Sequence, residues 1–123
     1  MSTRGACHCR SVRLFLDEAP HEVVACDCSL CSRRGMLWAI SPEANSTVDG
    51  NTEGYSWGDE HISFHHCPKC GCTTHWQSLS GSHKMGVNVR LLDGFSESTD
   101  QGNSSYSFGE QPLDLVTLRG ANG

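Results

Sequence analysis

The sequence predicts a mostly β protein, built from small antiparallel sheets and held together by bound metal. Three observations carry that expectation. The apolar stretches are short and interrupted every few residues by Gly, Pro, Asn, Asp or Ser. No segment sustains helical periodicity for four turns. Eight cysteines fall into three tight clusters in a chain of 123 residues with only modest apolar content, where burial alone stabilises a fold marginally and cross-links or metals help.

Strands are predicted, in order, at Val12–Leu16, Val23–Ala25, Met36–Ile40, His61–Phe64, Thr73–Trp76 and Met85–Val89, each rich in β-branched or aromatic residues between turn signals. The near-alternation of Leu113–Leu118 suits a last edge strand. Ser41–Gly54 reads as a connection, because Ser41-Pro42 and Asp49-Gly50-Asn51 supply turn chemistry. Ser96–Ser107 is poor in apolar residues and is expected to be a loop. The length fits a single domain over 1–123, with 96–123 its least defined segment.

Charge and targeting narrow the function. Nine Lys and Arg stand against fourteen Asp and Glu, a formal charge of −5, which argues against nucleic acid as a partner. The N-terminal stretch holds three arginines by Arg13 and does not read as an export signal, and no run approaches the roughly 20 apolar residues that span a membrane. The expected location is a reducing cytoplasm, where clustered cysteines serve as metal ligands or redox groups rather than as a disulfide framework.

The clusters are Cys7-His8-Cys9, Cys26-Asp27-Cys28-Ser29-Leu30-Cys31 and Cys67-Pro68-Lys69-Cys70-Gly71-Cys72. In C-P-K-C-G two thiolates come off a tight turn that Pro prepares and Gly completes. A Cys-x-Cys pair on an extended segment places both side chains on one face, so Cys7 and Cys9 supply a further half-site. The middle cluster holds three thiolates within six residues. Three ligands leave a fourth position of a tetrahedral zinc open, the arrangement that zinc catalysis uses. Spacing does not pair the clusters. The most economical division puts Cys7, Cys9, Cys67 and Cys70 on a closed structural zinc and Cys26, Cys28 and Cys31 on a second zinc, which leaves Cys72 over. Cys72 is then an inert buried thiol, a fourth ligand capping the open zinc, or an exposed reactive thiol.

Five ordered blocks, G-A-C-H-C-R-S-V-R at Gly5–Arg13, C-D-C-S-L-C at Cys26–Cys31, R-R-G-M-L-W-A at Arg33–Ala39, C-P-K-C-G at Cys67–Gly71 and V-N-V-R-L-L-D-G at Val87–Gly94, resemble the glutathione-dependent formaldehyde-activating enzyme family, which also includes the centromere protein V domain. The resemblance implies a β-tent fold, the same four-plus-three division of zinc ligands, and glutathione with an aldehyde as small-molecule partners. The reaction it implies adds glutathione to formaldehyde to form S-hydroxymethylglutathione, in reverse a carbon–sulfur lyase. Thiol capture suits three-thiolate zinc better than carbonyl activation, because three thiolates soften its Lewis acidity. Two positions depart from the family pattern: Asp27 stands where His is common, and Cys72 where a hydroxyl or apolar residue is common.

Arg33 and Arg34 are candidates to hold glutathione carboxylates, against the plainer reading of a solvated turn. Asn88 and Arg90 are weaker candidates, readable as the outer face of a strand. Trp38, Trp57 and Trp76 suit packing. His65 and His66 read as strand-end or supporting donors. His8, between two ligands, is expected to point away from the metal, and His75 is the other histidine that invites a role. A thiol-handling enzyme is therefore set against a non-catalytic zinc module that presents a surface or binds thiols.

Overall fold

The computed structural model describes residues 2–56 and 62–118. Trp57, the His61 start of one expected strand and the last five residues of the tail lie outside them. Three sheets form. In the first, β1 (Thr3–Ala6), β2 (Arg13–Leu16) and β5 (Ser46–Asp49) run antiparallel in the order β1-β2-β5. Period-two alternation is clearest in β2, where Leu14 and Leu16 are buried while Arg13 and Phe15 face out.

The second sheet has seven strands. From one edge to the other they are β13 (Asp114–Leu118), β3 (Glu22–Cys26), β4 (Trp38–Pro42), β9 (Lys84–Asn88), β8 (Thr73–Ser78), β7 (Ile62–His66) and β6 (Glu53–Tyr55). All neighbours are antiparallel except β13 and β3, so the expected edge strand exists but joins in parallel. Its partner lies more than ninety residues earlier in the chain, with Asp114 beside Glu22, a pairing that no local pattern announces. Among the described residues no helix is long and apolar enough to cross a membrane.

The third sheet corrects an expectation. Ser96–Ser107 is the body of a hairpin, β10 (Phe95–Asp100) with β11 (Asn103–Phe108), extended by β12 (Gln111–Pro112). Its turn is Gln101-Gly102, both at positive φ, which matches the twist of a two-residue hairpin loop. Phe95, Tyr106 and Phe108 pack its base against the main core. Serine and threonine fill the rest, so a real strand pair carries no apolar signature. The stretch Ser41–Gly54 likewise contains β5 and the start of β6, where Val48 is the one large apolar side chain leaning on the core.

Both faces of the large sheet are covered, and this decides where the site sits. Adjacent residues part company: Val23, Leu37, Ala39, Met85 and Val87 join Leu14 and Leu16 beneath the first sheet. Val24, Trp38 and Phe64 turn to the other face, against Met36, Cys28 and Cys31. Trp76 lies over Gly86, its cross-strand partner, so closely that a Cβ there would fall 2.0 Å from the indole nitrogen. On that second face a two-turn helix, α1 (Ser29–Arg34), follows β3. Six residues are too few to show a helical period, so the sequence pattern did not reveal it.

Candidate metal centres

The first centre joins two turns that are sixty residues apart yet built alike. Cys7 N–H donates to Val12 O at 3.0 Å and Arg10 N–H to Cys7 O at 3.1 Å. Cys67 N–H donates to Cys72 O at 2.9 Å and Gly71 N–H to Cys67 O at 2.9 Å. Each turn closes through a left-handed residue, Arg10 at φ 66° and Gly71 at φ 83°. Cys7-His8-Cys9 is thus a turn rather than the expected extended segment, and Arg10 hides the similarity because it occupies a conformation that usually calls for glycine.

The four sulfurs of Cys7, Cys9, Cys67 and Cys70 lie within 4.8 Å of one another. Cys7 and Cys9 are separated by 3.7 Å and Cys9 and Cys67 by 3.6 Å. A tetrahedron of thiolates at about 2.3 Å from zinc has edges of roughly 3.8 Å, so the donor set and its spacing fit that ion. Backbone donors already favour thiolate here. N–H groups of Cys72 and Cys9 bring the Cys70 pKa down to about 5. The Ser11 hydroxyl and N–H lower that of Cys9, whereas burial raises that of Cys7.

The second centre is local. Cys26 ends β3, Cys28 caps α1 and Cys31 lies in its first turn, and their sulfurs are within 4.8 Å of one another. The Cys31 N–H donates to the Cys28 sulfur at 3.4 Å, and the Trp38 indole N–H to the Cys31 sulfur at 3.5 Å. Trp38 therefore does more than pack. Burial pushes the Cys31 thiol far up despite that indole bond, and raises Cys26 as well. At Cys28 burial opposes ionisation too, but the N–H groups and thiols around it prevail and its pKa falls. Three clustered sulfurs in this setting ionise together only beside a cation.

The profile of the family described as glutathione-dependent formaldehyde-activating enzyme matches residues 2–107. The chain belongs to that family. Among solved structures, a Rhodobacter sphaeroides protein is similar at 33% identity and a TM-score of 0.67, over 76% of this chain and 90% of that one. No curated protein matches. Both cysteine centres lie inside the family match, while β12 and β13 lie beyond it.

The remaining candidates of this formaldehyde-activating-type chain fall into place around the two centres. Cys72 packs beside Cys7, Val12 and Cys67, and its sulfur is not among the three of the second centre. The Cys67–Cys72 turn holds it on the four-thiol side, where burial raises its pKa and the His8 N–H bonds to it. His8 itself is exposed. Asn88 is buried rather than on an outer face, donating to Thr73 O at 2.8 Å and accepting the Arg90 N–H at 3.2 Å. Its cap ends the strand and puts Arg90 in a short 3-10 turn.

Arg33 and Arg34 diverge. Arg33 donates to Ser29 on its own helix at 3.1 Å, while Arg34 reaches Thr73 Oγ1 at 3.4 Å across to β8. Arg34, His66, Cys72, Thr73, Asn88 and Arg90 line a cavity of about 450 Å³ between α1 and the second turn. His75 is buried, stacked on His65 with ring centroids 4.5 Å apart, and hydrogen-bonded to Thr74 at 2.9 Å. Burial first, then the neighbouring His65, lowers its pKa to about 4, so it is a neutral packing residue.

Proposed function

We propose that the protein is a zinc-dependent carbon–sulfur catalyst of one domain, which takes up glutathione and joins it to, or releases it from, a small aldehyde such as formaldehyde. The observation that carries this reading is the Cys26–Cys28–Cys31 centre: three converging thiols with no fourth metal-binding side chain among the described residues within the group. A zinc ion there would supply a soft Lewis acid with one position left for an incoming thiol, whose thiolate is the nucleophile toward an aldehyde.

The protein's own groups prepare the exchange. The Trp38 indole N–H and the Cys31 N–H draw charge from the ligand sulfurs, which leaves the centre more receptive to another thiolate. Met36, Trp38 and Phe64 pack around Cys28 and Cys31, so water is excluded from one side of the site. Arg33 and Arg34, just beyond Cys31, provide cations for the carboxylates of glutathione. Cys7, Cys9, Cys67 and Cys70, completing a tetrahedral set across two turns, hold a second, structural zinc.

Calorimetry of the zinc-loaded protein with glutathione and with S-methylglutathione tests the reading. Glutathione should bind at least tenfold more tightly, with proton release, because only its free thiol can ionise to a ligand. Equal affinity for both would remove thiol capture and favour a zinc module without catalysis.

A further inference from the structure

The outer face of the first sheet carries a concentration of charge that neither thiol centre uses. Arg4, Arg10 and Arg13, three of the chain's nine Lys and Arg, line a recess of about 340 Å³. The pairing of β1 with β2 builds it: Arg4 stands opposite Phe15 and Ala6 opposite Arg13, so these four share one face, and in β2 that face is the exposed one. Arg4 and Arg13 are diagonal neighbours, roughly 7–8 Å apart at the backbone, a gap that two long side chains close around one ligand. Gly5 and Ala6 keep the floor low, and the Asp93 N–H, donating to Arg4 O at 2.8 Å, fixes the rim. None of the three guanidiniums has a hydrogen-bond or ion-pair partner among the described residues, whereas Arg33, Arg34 and Arg90 each have one. Like charges held this close repel one another, and a bound anion relieves the repulsion. Arg10 also holds a left-handed φ of 66°, a backbone state that suits glycine, while its side chain lines the recess. Strain kept in such a turn points to a task for the side chain.

We propose that this recess binds a small organic phosphate, with the three guanidiniums around its phosphoryl oxygens and the exposed ring of Phe15 beneath a flat, aromatic body. A phosphoryl group offers three terminal oxygens to three donor forks, whereas a carboxylate offers two. Two carboxylates border the site, Asp93 at the rim and Asp49 opposite Arg13 on β5, and neither is within ion-pair distance of an arginine. Three cations against two carboxylates leave +1. That balance suits one phosphoryl dianion and not a polyphosphate backbone, in agreement with the overall charge of −5. The recess is also remote from the three-thiol centre. Leu14, Leu16, Val23 and Ala39 separate the first sheet from the large one, and Cys28 and Cys31 pack on the far face of the large sheet. Binding here does not depend on thiol capture there.

The test is calorimetry of the zinc-loaded protein, at fixed ionic strength, with phenyl phosphate, methyl phosphate and benzoate, after zinc content and circular dichroism show the variants folded. Phenyl phosphate should bind about fivefold more tightly than methyl phosphate, which has no ring to lay on Phe15, and about tenfold more tightly than benzoate, which lacks the third oxygen. Arg10→Gly and Arg13→Gln should each weaken phenyl phosphate about tenfold, as losing a charged hydrogen bond implies. Lys84→Gln, which removes the same charge from the exposed start of β9, should leave its affinity unchanged. Arg10→Gly should melt at or above the wild-type temperature, because glycine suits that turn, so its lost affinity is not lost structure. Phe15→Ala should bring phenyl and methyl phosphate to equal affinity, and Cys28→Ser should bind phenyl phosphate as wild type does. No binding of phenyl phosphate at about 10 mM, equal affinity for benzoate, unchanged affinity in Arg10→Gly and Arg13→Gln, or equal weakening by Lys84→Gln overturns the site. Loss of binding in Cys28→Ser would place the anion at the second metal centre and overturns it as well.

Discussion

The two thiol centres gather their sulfurs into equally tight groups by opposite routes. Cys26, Cys28 and Cys31 arrive together because one strand end runs into one helix start. Cys7 and Cys9 meet Cys67 and Cys70 only because two turns sixty residues apart are brought edge to edge, around the buried Val12 and Cys67. A metal at the second kind of site closes a long loop and ties the first sheet to the seven-stranded one; a metal at the first kind constrains six residues. On the function proposed above, the long-range site would maintain the fold and the local one would be free for chemistry.

The largest expected effect follows from that separation. Structural zinc contributes on the order of 10–16 kcal/mol in small metal-folded units, comparable with the roughly 5–15 kcal/mol that holds an ordinary domain together. Cys67→Ser should therefore abolish cooperative thermal unfolding and retain little zinc. Cys28→Ser should melt cooperatively and carry one zinc where wild type carries two. Equal loss of structure in both variants, followed by circular dichroism and metal analysis, would erase the distinction.

Acid offers a smaller effect that lies in the sheet rather than in either centre. His75 has a folded pKa near 4, below the ordinary 6.5, so the unfolded chain binds the extra proton between those values. Its contribution is complete above about pH 6.5 and falls away as pH drops toward 4, by at most ~3 kcal/mol at 1.36 kcal/mol per unit. His75→Gln, which has no proton to gain, should lose less stability over that window than wild type. Protonation of the thiolates weakens both proteins alike, so the difference between their denaturation curves isolates the histidine. Parallel curves would place the acid sensitivity in the metal centres alone.

The smallest effect concerns Cys72, which stands beside the four-thiol centre but in neither ligand group. Cys72→Ser should leave two metals bound and the sulfur-to-cobalt absorption of the cobalt-substituted protein unchanged. A drop in that absorption would make Cys72 a ligand and redraw the boundary between the centres.

Much of this was legible in the chain itself. The three-thiol group is written in six consecutive residues, and Cys67-Pro68-Lys69-Cys70-Gly71 carries its turn in its own composition, with Gly71 at the positive φ the turn requires. Short strands between turn residues showed a mostly β protein, and five ordered blocks pointed to the family. These are local properties, set by spacing and backbone preference within a few residues.

Other features depended on partners far away in sequence. The Ser- and Thr-rich hairpin β10–β11 is stabilised where Phe95, Tyr106 and Phe108 reach the core, so its middle leaves no apolar trace. Arg10 in a glycine-like conformation disguised the first turn, and the two-turn α1 was too short for a period. The indole of Trp38 reaches the Cys31 sulfur, only seven residues back, within one core cluster, and Thr73, His66 and Arg34 came to share a cavity through pairings that only strand register decides. Residue type and spacing determined which atoms can hold metal. Long-range packing decided which of them stand together, because burial and hydrogen-bond partners are properties of neighbours in space and not of neighbours in the chain.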